Sequence, residues 1–544
     1  MAVIEISRKD LETLVGKKLG DKELKEKIPM IGAPLEALMK DTVQYEIFPN
    51  RPDMLSVEGF ARAVKTFLGV EKEPRVYEAS ESGITLFVED SVKSVRPYIA
   101  CAVIKNITLT DDVIKSLMQT QEKIHQTLGR KRKKVAIGIH NIGAVKQPFY
   151  YKAVKPEETR FIPLDMKKEL NLGEILKEHP KGIKYASILE GKERYPIILD
   201  KNGNVLSFPP IINGELTKVT SDVNNLFIDV TGTDEKAVNI ALNILVTSLA
   251  DRGGKIESVK ILKGKKEKKT PCLEYKEMKL DMSYVIKLLD IDINEEKIKT
   301  LLQKMGFGYK NGLVQVPPYR ADIMHQIDLV EDIAIAYGYE NFEPKIPVSG
   351  KGKGLERQKT IKKIKNSMIE LGFQEVVNLI LTNEENEFNK MDLKPNNFVK
   401  TKNPLTTECT ICRKKLIPSL LNVLIHNKHR KYPQKIFELG YVVATDNSAE
   451  TGTKDELILS AAISDDVINY GDIVLILDEL MKKLGIGYQL KKEKHPSFLK
   501  ERCSKIIIRG NPGMSGIVGV IHPDVLKNFS IEKPTMAFEI LWSL

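Results

Sequence analysis

Three short connecting stretches divide the chain and exclude a single continuous core. They are GVEKEPRVYEASESG (69–83), KILKGKKEKKTP (260–271) and EPKIPVSGKGKG (343–354), and each is rich in the charged, Gly or Pro residues that are typical of linkers. Because a domain usually holds about 100–200 residues, the 544-residue chain has room for several. We therefore predict four domains, over 1–85, 86–265, 270–345 and 355–544.

Composition predicts a globular protein that does not enter a membrane. The chain is 42% hydrophobic and 29% charged, and its longest apolar run, IALNILVTSLA, is too short to cross a bilayer. The opening MAVIEISRKDLETLVG is typical of a strand followed by a helix and lacks a signal-peptide pattern. Five cysteines in a chain of this length argue against a disulfide scaffold, so we expect a reducing, cytoplasmic location.

The charge balance favours a polyanionic partner. The formal net charge is +11 and the sequence pI is about 9.0. Nucleic acid is such a partner, although excess lysine can also serve solubility or thermal adaptation.

One acidic segment, RADIMHQIDLVEDIAIAYGYENF (320–342), runs against this basic background. Its four clustered carboxylates are Asp322, Asp328, Glu331 and Asp332, the last three at the i, i+3 and i+4 spacing of one helix face. The apolar residues predict a separate buried stripe, formed by Ile323, Ile327, Val330, Ala334 and Tyr337. The acidic face can be solvated, helped by the helix dipole, or it can hold a hard cation such as Mg²⁺.

A second set of polar residues lies in the predicted second domain. YPIILDKNGNVLSFPPIINGE predicts strand, Asn-Gly turn, strand and a Pro-Pro break, and NNLFIDVTGTD predicts a strand over Leu226 to Val230. Strand ends and turns are where pockets are often built. The polar residues at these ends can equally be local turn and cap partners. They are Ser207, Asn213, Glu215, Asp229, Thr231 and Thr233.

Four segments, in the same order along the chain, resemble one family, the phenylalanine–tRNA ligase beta subunit in its archaeal and eukaryotic form. EIFPNRPDMLSVEGFARAVKTFLG is similar to the family's N-terminal signature. FPPIINGELTKVTSDVNNLFIDVTGTD resembles the core of its editing domain, and PPYRADIMHQIDLVEDIAIAYGYENF its most recognisable stretch. RKKLIPSLLNVLIHNKHRKYPQKIFELGYVV is similar to its degenerate synthetase-like domain.

This resemblance implies a multidomain α+β fold and a shared reaction. The implied parts are an N-terminal α/β module, an editing domain of mixed sheets, a winged-helix-like module and a degenerate class II synthetase-like antiparallel sheet with helices. The implied assembly is a heterotetramer of two alpha and two beta chains that attaches phenylalanine to tRNA(Phe) with ATP. In it, the alpha subunit would bind ATP and phenylalanine, while this chain would contact the tRNA.

The resemblance also assigns the two polar sets. The acidic segment would bind Mg²⁺ through Asp322, Asp328, Glu331 and Asp332 at the junction with the alpha subunit. The six polar residues of the second domain would form an editing pocket that hydrolyses mischarged Tyr-tRNA(Phe). An apolar phenylalanine pocket rejects an added hydroxyl by only about 100-fold, so a second site that hydrogen-bonds the phenol is needed.

Within that pocket, we expect Glu215 and Ser207 to bind the phenol. Asp229 and Thr231 would hold the amino group or a water at the ester carbonyl. No Ser-His-Asp constellation is evident in the sequence, which favours direct attack by water.

The last domain lacks the residues that would hold ATP. KIFELG keeps the strand pattern of class II enzymes, but no phosphate-binding arginine precedes Glu438, and Arg413 is the nearest vestige. Aminoacylation is therefore expected on the partner chain. Two alternatives stay open: a non-catalytic tRNA-binding scaffold, and a free-standing aminoacyl-tRNA deacylase.

Overall fold

The computed structural model describes residues 2–346, 350, 352–511 and 513–542. These residues form two compact units, Met1–Lys345 and Ile346–Leu544. Of the predicted linker 343–354, residues 347–349 and 351 lie outside the described residues, and the rest has no regular secondary structure. Each unit is described by itself below.

The first unit begins with a small α/β module. Its antiparallel sheet has the strand order β1-β3-β2. Its second helix starts where Ser56 accepts a hydrogen bond from the Gly59 amide, as the sequence predicts. The elements are β1 (Ala2–Ser7), α1 (Arg8–Val15), β2 (Leu35–Leu38), β3 (Thr42–Ile47) and α2 (Val57–Phe67).

A ten-stranded mixed sheet forms the middle of this unit, in the order β12-β11-β10-β7-β4-β14-β5-β13-β6, with β15 paired to β14. Its strands are β4 (Ser80–Val88), β5 (Tyr98–Lys105), β6 (Val135–Asn141), β7 (Phe149–Val154), β10 (Tyr195–Leu199), β11 (Val205–Phe208), β12 (Ile212–Asn213), β13 (Leu226–Gly232), β14 (Lys255–Lys263) and β15 (Lys266–Thr270). A separate pair is β8 (Arg160–Phe161) and β9 (Leu170–Asn171). The helices of this region are α3 (Asp111–Gln126), α4 (Leu172–Glu178), α5 (Pro180–Tyr185) and α6 (Glu235–Asp251).

Two predicted linkers are partly wrong. The lysine-rich stretch 260–271 forms most of the β14–β15 hairpin, in which Val259 pairs with Thr270. Strand β4 starts at Ser80, inside the first linker and inside the predicted first domain, and it pairs with β14. Charge alone misled the prediction, because lysines on an exposed strand can point to water while its backbone completes a sheet. By contrast, the strand–turn–strand pattern before the Pro-Pro break and the strand from Leu226 are confirmed.

A small helical module with its own three-stranded sheet, in the order β16-β18-β17, completes the first unit. Its helix α9 differs from the predicted stripe. Ile327 is 47% exposed, whereas Asp332 is buried beside Leu329 and Ile333. The elements are β16 (Lys276–Lys279), α7 (Met282–Leu289), α8 (Glu295–Lys304), β17 (Gly308–Lys310), β18 (Leu313–Val316) and α9 (Gln326–Tyr337).

The second unit is built on a seven-stranded sheet in the order β19-β22-β23-β27-β26-β25-β24, antiparallel except for the β19–β22 pair. One hydrophobic cluster includes Ile364 and Leu477, from two of the five helices, and another includes Leu420 and Val525, from two more. The helices are α10 (Glu356–Glu370), α11 (Glu384–Glu387), α12 (Ile417–His426), α13 (Tyr470–Leu484) and α14 (Pro523–Asn528). The strands are β19 (Gln374–Glu375), β20 (Leu381–Thr382), β21 (Ile411–Cys412), β22 (Gln434–Thr445), β23 (Thr453–Ser464), β24 (Tyr488–Lys492), β25 (Phe498–Ile508), β26 (Ser515–Ile521) and β27 (Thr535–Trp542).

The predicted fold class is confirmed at its coarser level, a multidomain α+β chain with several separate sheets. Within the described part of the chain, no helix is both long enough and apolar enough to cross a membrane.

Candidate functional site

A cavity of about 340 Å³ lies in the large mixed sheet of the first unit. Its lining residues come from α3, α5, the ends of β6, β11 and β13, and the Pro209–Pro210 break. Four of the six predicted pocket residues line it, namely Ser207, Asn213, Asp229 and Thr231. Its size falls within the range of small-ligand sites.

Asp229 is the best-positioned acid of this cavity. The residue is 1% exposed, and its Oδ2 accepts a hydrogen bond from Nε2 of His140 at 2.8 Å. The other ring nitrogen of His140, Nδ1, lies 2.8 Å from the hydroxyl of Thr217. A carboxylate–imidazole–hydroxyl array is therefore present, although Thr217 lies behind the cavity wall rather than on it. This set is not a Ser-His-Asp constellation and its hydroxyl does not line the cavity, so direct attack by water stays the prediction.

The Asp229–His140 contact requires a glycine on the neighbouring strand. Gly138 pairs directly with Asp229 across β6 and β13. A Cβ at position 138 would lie 2.0 Å from Asp229 Oδ2 and 2.7 Å from His140 Nε2. Any side chain there would push the carboxylate away from the imidazole.

Thr231 is fixed by a buried arginine. Its Oγ1 accepts from Nε of Arg96 at 2.9 Å, and its carbonyl accepts from Nη2 at 2.7 Å. Burial lowers the pKa of Arg96 to about 10. Because the Thr231 oxygen already accepts a bond, its own O–H is left to donate toward the cavity.

Two buried polar atoms at the cavity have no hydrogen-bond partner among the described residues. They are Oγ of Ser207 and Nε of Arg132. A buried polar group without a partner costs free energy, and such groups in folded proteins need an explanation. A polar ligand in the cavity supplies one.

Arg132 ties the cavity wall together. Its Nη1 donates to the carbonyl of Ile211 at 2.9 Å, and its Nη2 donates to Glu122 Oε2 at 3.0 Å. The side-chain hydrogen bond to His125, followed by Arg132, keeps the pKa of Glu122 well below its usual range against the opposing effect of burial. Burial lowers the pKa of His125 to about 4, so its neutral Nε2 accepts from the Ile137 amide at 2.8 Å.

Two of the six predicted residues lie away from the cavity lining. Oε2 of Glu215 accepts from the Asp165 amide at 2.7 Å, and its Oε1 lies 3.4 Å from Nζ of Lys218. Thr233 is exposed after the end of β13. Glu215 therefore serves a local turn, which was the alternative that the sequence left open, whereas Ser207 lines the cavity.

The four clustered carboxylates line a second cavity, of about 850 Å³, and four of their eight oxygens already accept hydrogen bonds from the protein. Arg320 donates to Asp322 at 2.7 Å and to Asp332 at 2.5 Å. Burial raises the pKa of Asp332, whereas at Asp322 the guanidinium outweighs burial and lowers the pKa. The cation that balances these two acids is thus a side chain of the protein itself.

The remaining two carboxylates are not paired with a cation of the protein within the part of the chain that the structure describes. Oδ2 of Asp328 accepts from the amides of Met324 and His325, both at 2.7 Å, and Glu331 is exposed. Among the described residues, no group of three or more His, Cys, Asp or Glu side chains has the geometry of a metal site. The predicted four-carboxylate set therefore does not fit. A pair is enough for Mg²⁺, which keeps several waters and often takes one or two carboxylates.

Comparisons with known proteins agree along the chain. The phenylalanyl tRNA synthetase beta chain CLM domain matches residues 342–542, and the tRNA synthetase B5 domain matches residues 278–339. The chain is 41% identical to the phenylalanine–tRNA ligase beta subunit of Methanocaldococcus jannaschii, over 99% of this chain and 100% of that protein. It is 42% identical to the same subunit of Archaeoglobus fulgidus, over 99% of this chain and 98% of that protein. The chain belongs to the phenylalanine–tRNA ligase beta subunit family.

A solved structure supports this assignment for the first unit. An N-terminal fragment of the phenylalanyl-tRNA synthetase beta subunit from Pyrococcus horikoshii is 40% identical, with a TM-score of 0.60. The similarity covers 62% of this chain and the whole of that fragment.

The second unit of this beta subunit family member buries Arg413. Arg413 Nη2 lies 2.8 Å from Glu438 Oε1, and its Nε donates to the Tyr441 carbonyl at 2.9 Å. The side chain is 2% exposed, so this guanidinium is committed to the fold and is not presented to a phosphate.

The sequence did not reveal several residues that build the first cavity. His140 is the next-to-last residue of the strand VAIGIHN, and a polar residue after an apolar run was the available signal. Arg132 was hidden in the run RKRKK (130–134), which predicts a solvated turn. The turn is confirmed, but Arg132 itself is buried.

Proposed function

We propose that this beta subunit family member proofreads tRNA(Phe), and that the cavity around Asp229 hydrolyses tyrosine from mischarged Tyr-tRNA(Phe). A partner alpha subunit would bind ATP and phenylalanine and carry out the charging reaction. The observation that carries the proposal is the buried Asp229–His140 pair beside two unpartnered polar atoms in one small cavity.

The chemistry follows from the hydrogen-bonding atoms of the lining residues that have no partner among the described residues. Oδ2 of Asp229 accepts a hydrogen bond from His140, whereas Oδ1 has no hydrogen-bond partner within the described part of the chain. Oδ1 would orient a water or the substrate's amino group. The water oxygen attacks the ester carbonyl, the bond to the ribose oxygen breaks, tyrosine leaves as its free acid, and the ribose oxygen takes a proton. No covalent intermediate with the protein is needed.

Selectivity for tyrosine would come from Ser207. Its hydroxyl has no partner in the folded chain, so the phenol of tyrosine would satisfy it. A phenylalanyl group would leave it unpaired, which costs about 1–3 kcal/mol of discrimination. A polar site of this kind complements an apolar charging pocket, which rejects tyrosine poorly.

The assembly is proposed from the names of the relatives and the acidic segment. We propose an α₂β₂ heterotetramer in the cytoplasm, with a hydrated Mg²⁺ held by Asp328 and Glu331. The finer assignments, a winged-helix-like module over 270–345 and a degenerate class II domain over 355–544, belong to the same proposal.

Asp328→Asn combined with Glu331→Gln should release Mg²⁺ from the purified complex, measured as bound metal per complex. Unchanged metal content would rule out this site.

The editing proposal is tested by release of tyrosine from Tyr-tRNA(Phe). Asp229→Ala should slow hydrolysis by at least about 100-fold, as expected for loss of a catalytic carboxylate. Asp222→Asn, at an exposed carboxylate on the preceding turn, is the matched control and should hydrolyse normally. Charging of tRNA(Phe) with phenylalanine should be unaffected by either change. Equal hydrolysis by Asp229→Ala and the parent chain would refute the proposal.

A further inference from the structure

The rim of the Asp229 cavity carries three cations, two of which lie against one aromatic ring. Arg132, Lys181 and Lys184 all line the cavity. The Arg132 guanidinium carbon lies 4.5 Å from the centre of the Tyr185 ring, and Nζ of Lys184 lies 5.3 Å from the same centre. The three side chains are therefore close together. We call Arg132, Lys181 and Lys184 the basic rim.

The carboxylate on this rim does not balance the three charges. Glu122 is engaged by Arg132, at 3.0 Å, and by the hydroxyl of Tyr185, at 3.3 Å. Within the described residues, neither Lys181 nor Lys184 forms an ion pair with a carboxylate. Burial and then repulsion from Arg132 lower the pKa of Lys181. Bringing an anion to the rim would relieve both effects, because it replaces lost solvation and offsets like-charge repulsion.

The loop that carries Arg132 extends this positive surface. Three consecutive residues, Arg130, Lys131 and Arg132, have positive φ angles of 48°, 55° and 68°. Backbone strain of this kind clusters at functional sites. It turns Arg132 inward while Arg130, Lys131 and Lys133 remain exposed. The cavity mouth thus has a basic neighbour that the hydrolysis itself does not use.

The geometry points to the basic rim as a phosphate-binding site for the 3′-terminal nucleotides of the RNA whose ester enters the cavity. This inference rests on the proposed function and names the contact by which the substrate is held. The two lysines would act as point charges on the phosphates, and Arg132 would keep the wall in place. Such contacts supply affinity and position without reading sequence.

The test compares two substrates in the full chain purified with its partner. Lys181→Ala combined with Lys184→Ala should raise KM for Tyr-tRNA(Phe) hydrolysis by about 10- to 100-fold and leave kcat unchanged. The salt dependence of log KM should weaken by about 1–2 in slope, one contribution for each lost lysine. Hydrolysis of 3′-O-tyrosyl-adenosine, which has no phosphate, should stay at the parental rate.

Two control variants separate charge from fold. Lys181→Arg with Lys184→Arg keeps the charges and should restore the parental KM. Lys287→Ala with Lys297→Ala removes two exposed lysines of α7 and α8 and should change nothing. An unchanged KM for Tyr-tRNA(Phe), or an equal loss on both substrates, would overturn the inference. If the parent chain hydrolyses neither substrate, the proposed function fails instead.

Discussion

Two buried arginines, one in each unit of this protein, differ in how completely they are paired. In the first, Arg132 and Ser207 leave polar atoms without partners beside a cavity, and Asp229 keeps one oxygen free. In the second, Arg413 is enclosed by Glu438 and by backbone carbonyls. Incomplete hydrogen bonding beside a cavity indicates a place for a ligand, whereas a fully paired buried arginine indicates architecture.

This contrast separates a cavity that is lined by unpaired polar atoms from a buried ion pair that is complete. A phosphate-binding arginine must present free N–H groups to its ligand. Arg413 cannot, because its donors already serve the fold. Arg413 therefore belongs to the buried framework of the second unit, while the first unit has an unpaired N–H of Arg132 and an unpaired hydroxyl of Ser207 beside a small cavity.

The largest expected effect is on the stability of the second unit. Arg413→Met leaves Glu438 buried and uncompensated, and should lower the free energy of unfolding by about 3–5 kcal/mol. Arg413→Met combined with Glu438→Leu removes both charges and should recover most of this loss. Urea unfolding of the three proteins measures the difference. If the double variant is as unstable as the single one, the loss of stability does not come from the unpaired charge of Glu438, and the expectation is wrong.

Glu387 of the second unit is a buried carboxyl that is paired at only one oxygen within the described residues, and it gives a pH test of incomplete pairing. Its Oε1 accepts from the amides of Lys414 and Lys415, but its Oε2 is buried without a partner. Burial raises the pKa of this carboxyl to about 7 from the ordinary value of 4.5. Because the folded pKa is raised, its contribution to stability is complete below pH 4.5 and is lost as pH rises through 7.

Glu387→Gln should therefore abolish the fall in the free energy of unfolding that the parent shows as pH rises. Relative to the parent, the variant should gain about 3 kcal/mol of unfolding free energy between pH 4.5 and pH 8. Urea midpoints at these two pH values provide the measurement. A constant difference between the two proteins would show that the carboxyl does not titrate in this range.

His125 in the first unit should behave with the opposite sign. Burial lowers its pKa from 6.5 to about 4, so its contribution is present above pH 6.5 and is lost as pH falls toward 4. Relative to His125→Gln, the parent should lose about 1.4 kcal/mol of unfolding free energy between pH 7.5 and 5.5. The Ile137 amide donates a hydrogen bond to His125, so its rate of hydrogen exchange reports the loss of this bond directly. Faster exchange at higher pH, beyond the intrinsic rate, would contradict the sign.

Local sequence patterns predicted many of the helices, strands and turns. They did not predict contacts between side chains that lie in different segments of the chain. Ser56 as a helix cap, the Leu226 strand and the Asn-Gly hairpin depend on neighbours within a few residues, and all are confirmed. The burial of Asp332 depends on Arg320, twelve residues away and before the helix begins. Periodicity placed the acidic face toward solvent because a helical stripe records hydrophobicity and does not record a guanidinium brought in from a loop.

The candidate site shows the same limit. Asp229 and Thr231 were predicted because polar residues at strand ends and turns often build pockets, and they line the cavity together. His140 is 89 residues from Asp229, and the strand pairing that joins them cannot be read from one sequence. Glu215 was placed in the pocket by sequence proximity to Asn213, but its carboxylate turns to the Asp165 amide.

The smallest expected effect separates a ligand-binding hydroxyl from a structural one. Ser207 has no hydrogen bond to lose, so Ser207→Ala should leave the free energy of unfolding within about 0.5 kcal/mol of the parent. Ser460 donates to the Phe538 carbonyl at 3.1 Å in the second unit, and Ser460→Ala should cost about 1 kcal/mol. Hydrolysis of Tyr-tRNA(Phe) should respond in the reverse order, falling about tenfold in Ser207→Ala and staying constant in Ser460→Ala. If Ser207→Ala instead destabilised the fold as much as Ser460→Ala, its hydroxyl would be structural, and the contrast between the two units would fail at this residue.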